Sequence, residues 1–478
     1  MVSRVTQATV PSQQTTSARI GPTTLAIRWV FPSLLGQLSL LESPQILLGR
    51  DDACHIKLPG TETSRQHAEI RRNGLLHTIR DLNSTNGVFV NGEQVREAPI
   101  GPGRILRLGD WIGVVVEVAS DQAEQEPVFD LLAPGLAGGP VLRPVLDEVR
   151  RAAASTLPIV LLGETGTGKE GFARAIHAWS GRGGPFIAVN CAALVPSLAE
   201  AELFGYRKGA FTGAERASSG HFRAAQGGTL LLDEITDLPE PIQAKLLRAL
   251  EQHEVMPLGE SAAVKVDVRI VAATQIPLGQ VVAEHRFRAD LCARLDGLTV
   301  CLPPLRERKQ EIAYLFQHLL REHSGGMPPR VEPRLVEQLL LYDWPFNVRE
   351  LDLLVRRLLV LHGSEDSLRR SHLPGHMLRG LGAGIARTPT PVCVSPIYAP
   401  GASTPAPVTP ETPRDRRERE LAALRAALRD HGGNVARAAA AAGLSRQRAY
   451  RLMAAGGVVG DNQRLKDDDV TPGPENVS

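Results

Sequence analysis

Ile159-Val160-Leu161-Leu162-Gly163-Glu164-Thr165-Gly166-Thr167-Gly168-Lys169 decides how the middle of this chain folds. Four apolar residues, the length and composition of a strand buried on both faces, run directly into a glycine-rich turn. An amphipathic helical pattern follows Lys169. Strand, Gly-x-x-x-x-Gly-Lys and helix, in that order, form the context of a P-loop. The glycines let backbone N–H groups turn inward around phosphates, Lys169 reaches the β and γ oxygens, and the helix N-terminus adds partial positive charge. Gly163, Glu164, Thr165, Gly166, Thr167, Gly168, Lys169 and Glu170 are therefore the candidate ATP-binding residues. A plain glycine-rich turn with an exposed lysine would leave the flanking strand and helix unexplained. Glu170 stands where a P-loop ordinarily has Ser or Thr, so Mg²⁺ must lean on other groups.

The next apolar strand supplies them. Leu230-Leu231-Leu232-Asp233-Glu234 puts two carboxylates at the C-terminal end of a buried strand, where ligands sit in open α/β sheets. Asp233 would hold Mg²⁺, directly or through water, and Glu234 would polarise the attacking water. Val268 to Ala273 reads as a third buried strand. Residues 135–305 thus read as an α/β ATPase subdomain. Residues 306–380 turn helical and Leu-rich, with Leu335, Leu339 and Leu340, then Leu351, Leu354 and Leu358, and read as a helical lid.

Glu202-Leu203-Phe204-Gly205-Tyr206-Arg207-Lys208-Gly209-Ala210-Phe211-Thr212-Gly213-Ala214 makes the reading specific. It resembles the signature of bacterial enhancer-binding proteins, the AAA+ activators of sigma-54 RNA polymerase. An aromatic between two glycines has no periodic apolar neighbours and reads as a wedge on a mobile loop. Phe211 taken alone would be an ordinary buried ring in a tight turn. The resemblance implies that Gly209, Ala210, Phe211, Thr212, Gly213 and Ala214 contact sigma-54. It further implies a switch role for Asn190, a first sensor at Ala273-Thr274-Gln275, and arginine fingers at Arg288 and Arg294. Thr274 and Arg349, the latter from a second sensor in Trp344-Pro345-Phe346-Asn347-Val348-Arg349, join the nucleotide-binding set. Gln275 and Phe346 stand where the family commonly has Asn and Gly, which puts the geometry of both sensors at issue. Fingers reaching a neighbour's nucleotide imply a ring, a hexamer by the family's habit.

Upstream, residues 23–120 show short β-type runs separated by turn signals. Examples are Ile46-Leu47-Leu48, Gly87-Val88-Phe89-Val90 and Ile112-Gly113-Val114-Val115-Val116. Asn91-Gly92 is a hairpin signal, because both turn positions need positive φ. Gly49-Arg50, Ser64-Arg65-Gln66-His67, Asn83-Ser84-Thr85-Asn86-Gly87 and Asn91-Gly92 together resemble a forkhead-associated (FHA) domain, an all-β sandwich whose loops bind phosphothreonine. Arg50 and Arg65 offer cationic donors to a group carrying about −1.5 to −2 charge. Ser64, Thr85 and Asn86 offer neutral hydrogen bonds, and His67 is expected to brace the loop.

Residues 1–22 lack an apolar core and read as a disordered leader, and 121–134 as a linker opening on the acidic Asp121 to Glu126. Residues 381–413 form a Pro-rich linker. Arg414 to Met453 is Ala-rich and carries ten Arg against four Asp and Glu. Residues 414–455 resemble the all-α helix-turn-helix of the Fis type, with Asn434 and Ser445 as helix caps and Gly443 at the turn. Ser445, Arg446, Gln447, Arg448 and Arg451 would face DNA. Residues 456–478 read as a polar tail.

Composition agrees with this multidomain division. A chain of 478 residues suggests about three domains. A net charge of +2 excludes a uniformly basic nucleic-acid coat but not a local basic module. Five widely spaced cysteines without a C-x-x-C pair argue against a disulfide scaffold or zinc site and suit a reducing cytoplasm. No run of apolar residues is long enough to span a membrane.

The expected protein is a sigma-54-dependent activator. It would bind ATP and Mg²⁺, remodel the closed sigma-54 polymerase–promoter complex, bind an upstream enhancer-like DNA element, and respond to a phosphothreonine-containing protein. Two alternatives stay open. One is a generic AAA+ motor. The other is a phosphothreonine-gated DNA-binding regulator with a weakened ATPase, which Glu170, Gln275 and Phe346 invite.

Overall fold

Short apolar–polar alternation in the N-terminal part becomes eleven strands. The computed structural model describes residues 23–32, 37–74, 76–119, 130–133 and 136–378. In order the strands are β1 (Thr23–Phe31), β2 (Leu38–Leu40), β3 (Gln45–Gly49), β4 (Ile56–Lys57), β5 (Ala68–Asn73), β6 (Leu76–Asp81), β7 (Val88–Val90), β8 (Glu93–Val95), β9 (Glu97–Ile100), β10 (Ile105–Leu108) and β11 (Trp111–Ala119). They form two sheets, ordered β2-β1-β11-β10-β7-β8 and β4-β3-β5-β6-β9. Ile27, Leu48, Ile70, Ile79, Leu106 and Val115 pack between them, and Trp29 meets Trp111 edge-on at 5.7 Å. Asn91 (φ 51°) and Gly92 (φ 83°) make the two-residue turn between β7 and β8, as the dipeptide required.

The second part opens with the hairpin β12 (Asp130–Ala133) and β13 (Leu136–Gly138), then α1 (Leu142–Ala153), β14 (Ile159–Leu162), α2 (Lys169–Trp179) and β15 (Phe186–Asn190). It continues with α3 (Ala199–Phe204), α4 (Gly220–Ala224), β16 (Thr229–Asp233) and α5 (Glu240–Gln252). A small hairpin, β17 (Glu254–Val255) and β18 (Val264–Lys265), precedes β19 (Arg269–Thr274), α6 (Leu278–Ala283), α7 (Ala289–Leu295) and β20 (Leu298–Cys301). The five-stranded sheet runs β15-β16-β19-β14-β20, and every pairing in it is parallel. All residues of β14 and β19 are buried, because helices cover both faces of a parallel sheet.

The lid follows: α8 (Lys309–Ser324), β21 (Arg330–Val331), α9 (Pro333–Leu341), α10 (Asn347–His362), β22 (Ser367–Leu368) and α11 (Gly375–Leu378). The Leu-rich pattern foretold the helices; the two-residue parallel pair β21–β22 was not foreseen. Ile312, Leu315, Phe316 and Leu320 line one face of α8 at helical spacing, each contributing about 1.5–3 kcal/mol on full burial. That face meets the N-terminal sandwich, since Val30, Phe31, Ile105, Ile112 and Val114 belong to the same apolar cluster as the lid. Both parts lie in one compact unit. Period-two alternation explains how one sheet serves two cores. On β10, Leu106 points into the sandwich while Ile105 and Arg107 point to the lid.

Cys54, Cys191 and Cys292 are free thiols, and Cys301 is disulfide-bonded. Among the described residues no helix is long and apolar enough to cross a membrane. The leader, the two linkers (but for Asp130–Ala133), the helix-turn-helix and the tail lie outside the described residues.

Candidate functional site

The glycine-rich turn between β14 and α2 bends as its composition demands. Gly166 (φ 79°) and Gly168 (φ 103°) occupy conformations that L side chains rarely adopt. Lys169 opens α2 and is only 7% exposed. Its Nζ donates to the carbonyls of Gly163 (2.9 Å) and Glu164 (3.4 Å) and lies 3.6 Å from Glu234 Oε1. Thr167 is buried and spends its hydroxyl on Glu164 O at 2.9 Å. Glu170 is exposed and paired with Arg174 at 2.6 Å.

Asp233 ends β16, beside the turn. Burial pushes its carboxyl above the usual range; Lys169 opposes that shift, and the Glu234 charge adds to it. Glu234 has left-handed backbone (φ 51°) and accepts a 2.7 Å hydrogen bond from Gln275 Nε2. The atypical Gln275 therefore reaches Glu234 directly. Asn190 does not: it stands opposite Asp233 in sheet register, and its side chain accepts from the Ala192 N–H. Thr274 accepts the Gly163 N–H at 3.0 Å through its carbonyl, tying the turn to β19. A half-buried carboxylate beside an ammonium, a second carboxylate and a glycine-rich turn form a donor set suited to a polyphosphate and a divalent cation, which would relieve the raised Asp233.

The lid closes on the turn through residues that pattern reading passed over. Asn347, fully buried with φ 53°, donates to Glu164 Oε2 (3.2 Å) and Thr165 O (2.9 Å) and accepts the Leu305 N–H at 2.7 Å. Arg306 grips Glu164 with bonds of 2.6 and 2.8 Å and holds its carboxyl below the usual range. The Val348 N–H reaches Gly166 O at 3.0 Å. A Cβ on Gly166 would stand 2.1 Å from Phe346 O, so glycine is required by this approach. Phe346 itself is 57% exposed. Arg349 is exposed, with its Cβ beside Gly166. Glu311, fully buried, pairs with Arg308 and accepts the Val141 and Leu142 N–H groups at the start of α1. Asn347 could have been noticed as the one amide at the head of an apolar helix; nothing local marks Arg306 or Glu311.

Arg288, half-buried, binds Asp290 (3.1 and 2.7 Å), and Arg294, exposed, binds Leu250 O (3.1 Å). Gly209 to Ala214 form a closed loop, with Gly209 N–H on Ala214 O at 2.8 Å. Phe211 is half-buried, its ring 5.0 Å from that of Tyr206. Gly209 (φ 81°) and Gly213 (φ 99°) flank it in open space.

Three loops meet at one end of the sandwich. Arg50 and Arg65 are exposed. The Arg50 N–H binds Ser64 O at 3.0 Å, the Thr85 N–H binds Ser64 Oγ at 3.1 Å, and Asn86 Nδ2 binds Glu62 O and Oε2 at 2.8 Å. His67, fully buried, braces them as expected: Nδ1 accepts the Ser64 N–H and Nε2 faces Gly87 O, both at 3.1 Å. Burial lowers its pKa below the ordinary 6.5. The unfolded chain then binds the proton more readily, so stability is full above 6.5 and falls as pH drops through and below it. We expect the melting temperature to decline between pH 7 and 5, and His67→Gln to flatten that part of the profile. An unchanged slope in the variant would show that other groups set it.

Three family matches cover this architecture: the sigma-54 interaction domain over residues 137–301, the AAA+ ATPase lid domain over 306–384, and the FHA domain over 46–109. The chain is 46% identical to the regulator UacR of Escherichia coli (strain K12) over 243 residues, 50% of this chain and 41% of that one. It is 45% identical to the sigma54-dependent transcriptional activator SfnR of Pseudomonas putida over 237 residues, 48% of this chain and 65% of that one. It is 38% identical to the transcriptional regulatory protein ZraR of Klebsiella oxytoca over 337 residues, 69% of this chain and 71% of that one. The chain thus spans less than two thirds of the first two relatives and more than two thirds of the third.

Proposed function

Since the chain belongs to the sigma-54-dependent transcriptional regulators, we propose that it couples ATP hydrolysis to activation of sigma-54 RNA polymerase under control of a phosphothreonine signal. One observation carries the ATPase reading: Lys169, Asp233, Glu234 and Gln275 converge at the C-terminal ends of β14, β16 and β19. That is where a parallel sheet presents its ligands.

In this reading Gly163 to Lys169 cradle the phosphates, Glu170 lies at the edge of that cradle, and Asp233 holds Mg²⁺. The bound cation would supply charge neutralisation on the phosphoryl oxygens. Glu234 orients and deprotonates the attacking water, and Asn190, Thr274 and Arg349 sense the nucleotide. Arg288, half-buried and paired with Asp290, and Arg294, exposed and bound to Leu250 O, serve a neighbouring subunit in a ring, a hexamer. Phe211, resting on Tyr206 between two conformationally free glycines, swings out with Thr212 to press on sigma-54. Arg50, Ser64, Arg65, Thr85 and Asn86 bind phosphothreonine. Ser445, Arg446, Gln447, Arg448 and Arg451 read upstream DNA in the cytoplasm.

The test is Phe211→Ala. It should hydrolyse ATP within about threefold of the parent yet lose open-complex formation at a sigma-54 promoter. Loss of hydrolysis alongside activation would remove the loop's assigned role. A folded parent oligomer without measurable phosphate release would favour the regulator with a weakened ATPase.

A further inference from the structure

Helix α9 is nine residues long and lies in the chain between the residues that line a cleft at the sandwich and those that contact the P-loop. Its start, Glu332 to Arg334, forms one wall of a cleft of about 180 Å³ whose opposite wall includes Glu62, Asn86 and Asp110. Asn86 is among the residues proposed to bind phosphothreonine. From the other end of α9 the chain turns through Trp344 (φ 52°) and Asn347 (φ 53°) onto the P-loop. Trp344 is buried there, its Nε1 on Leu339 O at 2.8 Å. Phe346, Asn347 and Val348 then contact Glu164, Thr165 and Gly166.

Between these ends α9 is pinned to the sandwich. Arg107 of β10 and Glu337 of α9 pair at 2.7 Å, both side chains under 10% exposed. The Arg107 guanidinium also lies 3.7 Å from the centre of the Phe89 ring. Leu335, Val336, Leu339 and Leu340 share their apolar cluster with Ile105, Ile112 and Val114. Such packing is dense, so a helix held this way moves as a body rather than deforming.

We propose that α9 links the two sites: a phosphothreonine peptide seated at Asn86 wedges the cleft, shifts the start of α9, and draws residues 346–348 off the P-loop, weakening nucleotide binding. The cleft is smaller than the ~300–1,000 Å³ of an ordinary ligand pocket, so a peptide side chain that enters it presses on both walls. Linkage makes the effect reciprocal: nucleotide weakens the peptide by the same factor. The inference rests on the phosphothreonine reading above.

The full-length protein is titrated with a fluorescent ADP analogue, alone and with a degenerate peptide pool bearing a central phosphothreonine. The unphosphorylated pool is the control, and anisotropy of a labelled portion reports peptide binding separately. The phosphorylated pool should raise the Kd for the analogue at least about fivefold, the lower end of usual coupling, and the analogue should weaken the pool equally. Arg107→Glu, which sets two buried carboxylates together, should remove the coupling, and adding Glu337→Arg should restore it. Phosphorylation-dependent binding with a nucleotide Kd unchanged within twofold, or tightened, overturns the linkage but spares the phosphothreonine reading. No phosphorylation-dependent binding overturns both. The unsubstituted protein decides the matter even if Arg107→Glu fails to fold.

Discussion

Glu234→Gln should lower ATP turnover by about 10²–10⁴-fold, the range for loss of a general base, while nucleotide affinity stays within a few-fold. The side chain is placed for that outcome. Left-handed backbone at the end of β16 turns its carboxylate back over the P-loop, 3.6 Å from Lys169 Nζ and 2.7 Å from Gln275 Nε2. Glutamine keeps the shape and can still accept from Gln275, but it cannot take a proton from water. It also removes a negative charge that helps push the Asp233 carboxyl up, so Asp233 should ionise more readily and hold its cation at least as well. Single-turnover phosphate release together with equilibrium binding of a non-hydrolysable analogue separates the two effects. Turnover within tenfold of the parent would remove Glu234 from the chemistry.

Breaking the contact between sandwich and lid should give the largest change in stability. Glu337→Ala leaves Arg107 charged and buried without its carboxylate, with only the Phe89 ring against it, which costs about 3–5 kcal/mol when a buried pair loses one member. Converting both residues to Met should come within about 1 kcal/mol of the parent, since two fitted apolar side chains often replace a buried ion pair without loss. Glu337 Oε1 has no hydrogen-bond partner among the described residues, which already limits what the pair contributes. Denaturant unfolding of the two variants side by side measures the contrast. Equal destabilisation of both would mean that the packing of this junction, not the stranded charge, dominates.

Much of the architecture was written in local order. Asn91-Gly92 could close only a hairpin, Ile159 to Lys169 could only be strand, phosphate turn and helix, and the Leu spacing of 335–358 could only be helical. Those readings depend on φ preferences and on apolar periods of two and 3.6, properties of neighbouring residues that hold wherever the segment lies. Family resemblance added the candidate site residues, because their spacing along the chain is itself a pattern. The run Ile112 to Val116 read only as a β-type stretch; the structure covers both its faces, Ile112 and Val114 by the lid cluster and Val115 by the sandwich core.

Tertiary structure alone decided the partners. Arg107 finds Glu337 across 230 positions, Arg306 finds Glu164 across 142, and Glu311 meets the start of α1 across 170. It also turned Asn190 to a local backbone cap and brought Gln275 to Glu234 instead. A buried charge has to be compensated, but any of 54 basic or 52 acidic residues could do it as far as composition is concerned. Only the packing of two cores against one shared sheet selects which, because desolvation makes every other pairing at that place more costly.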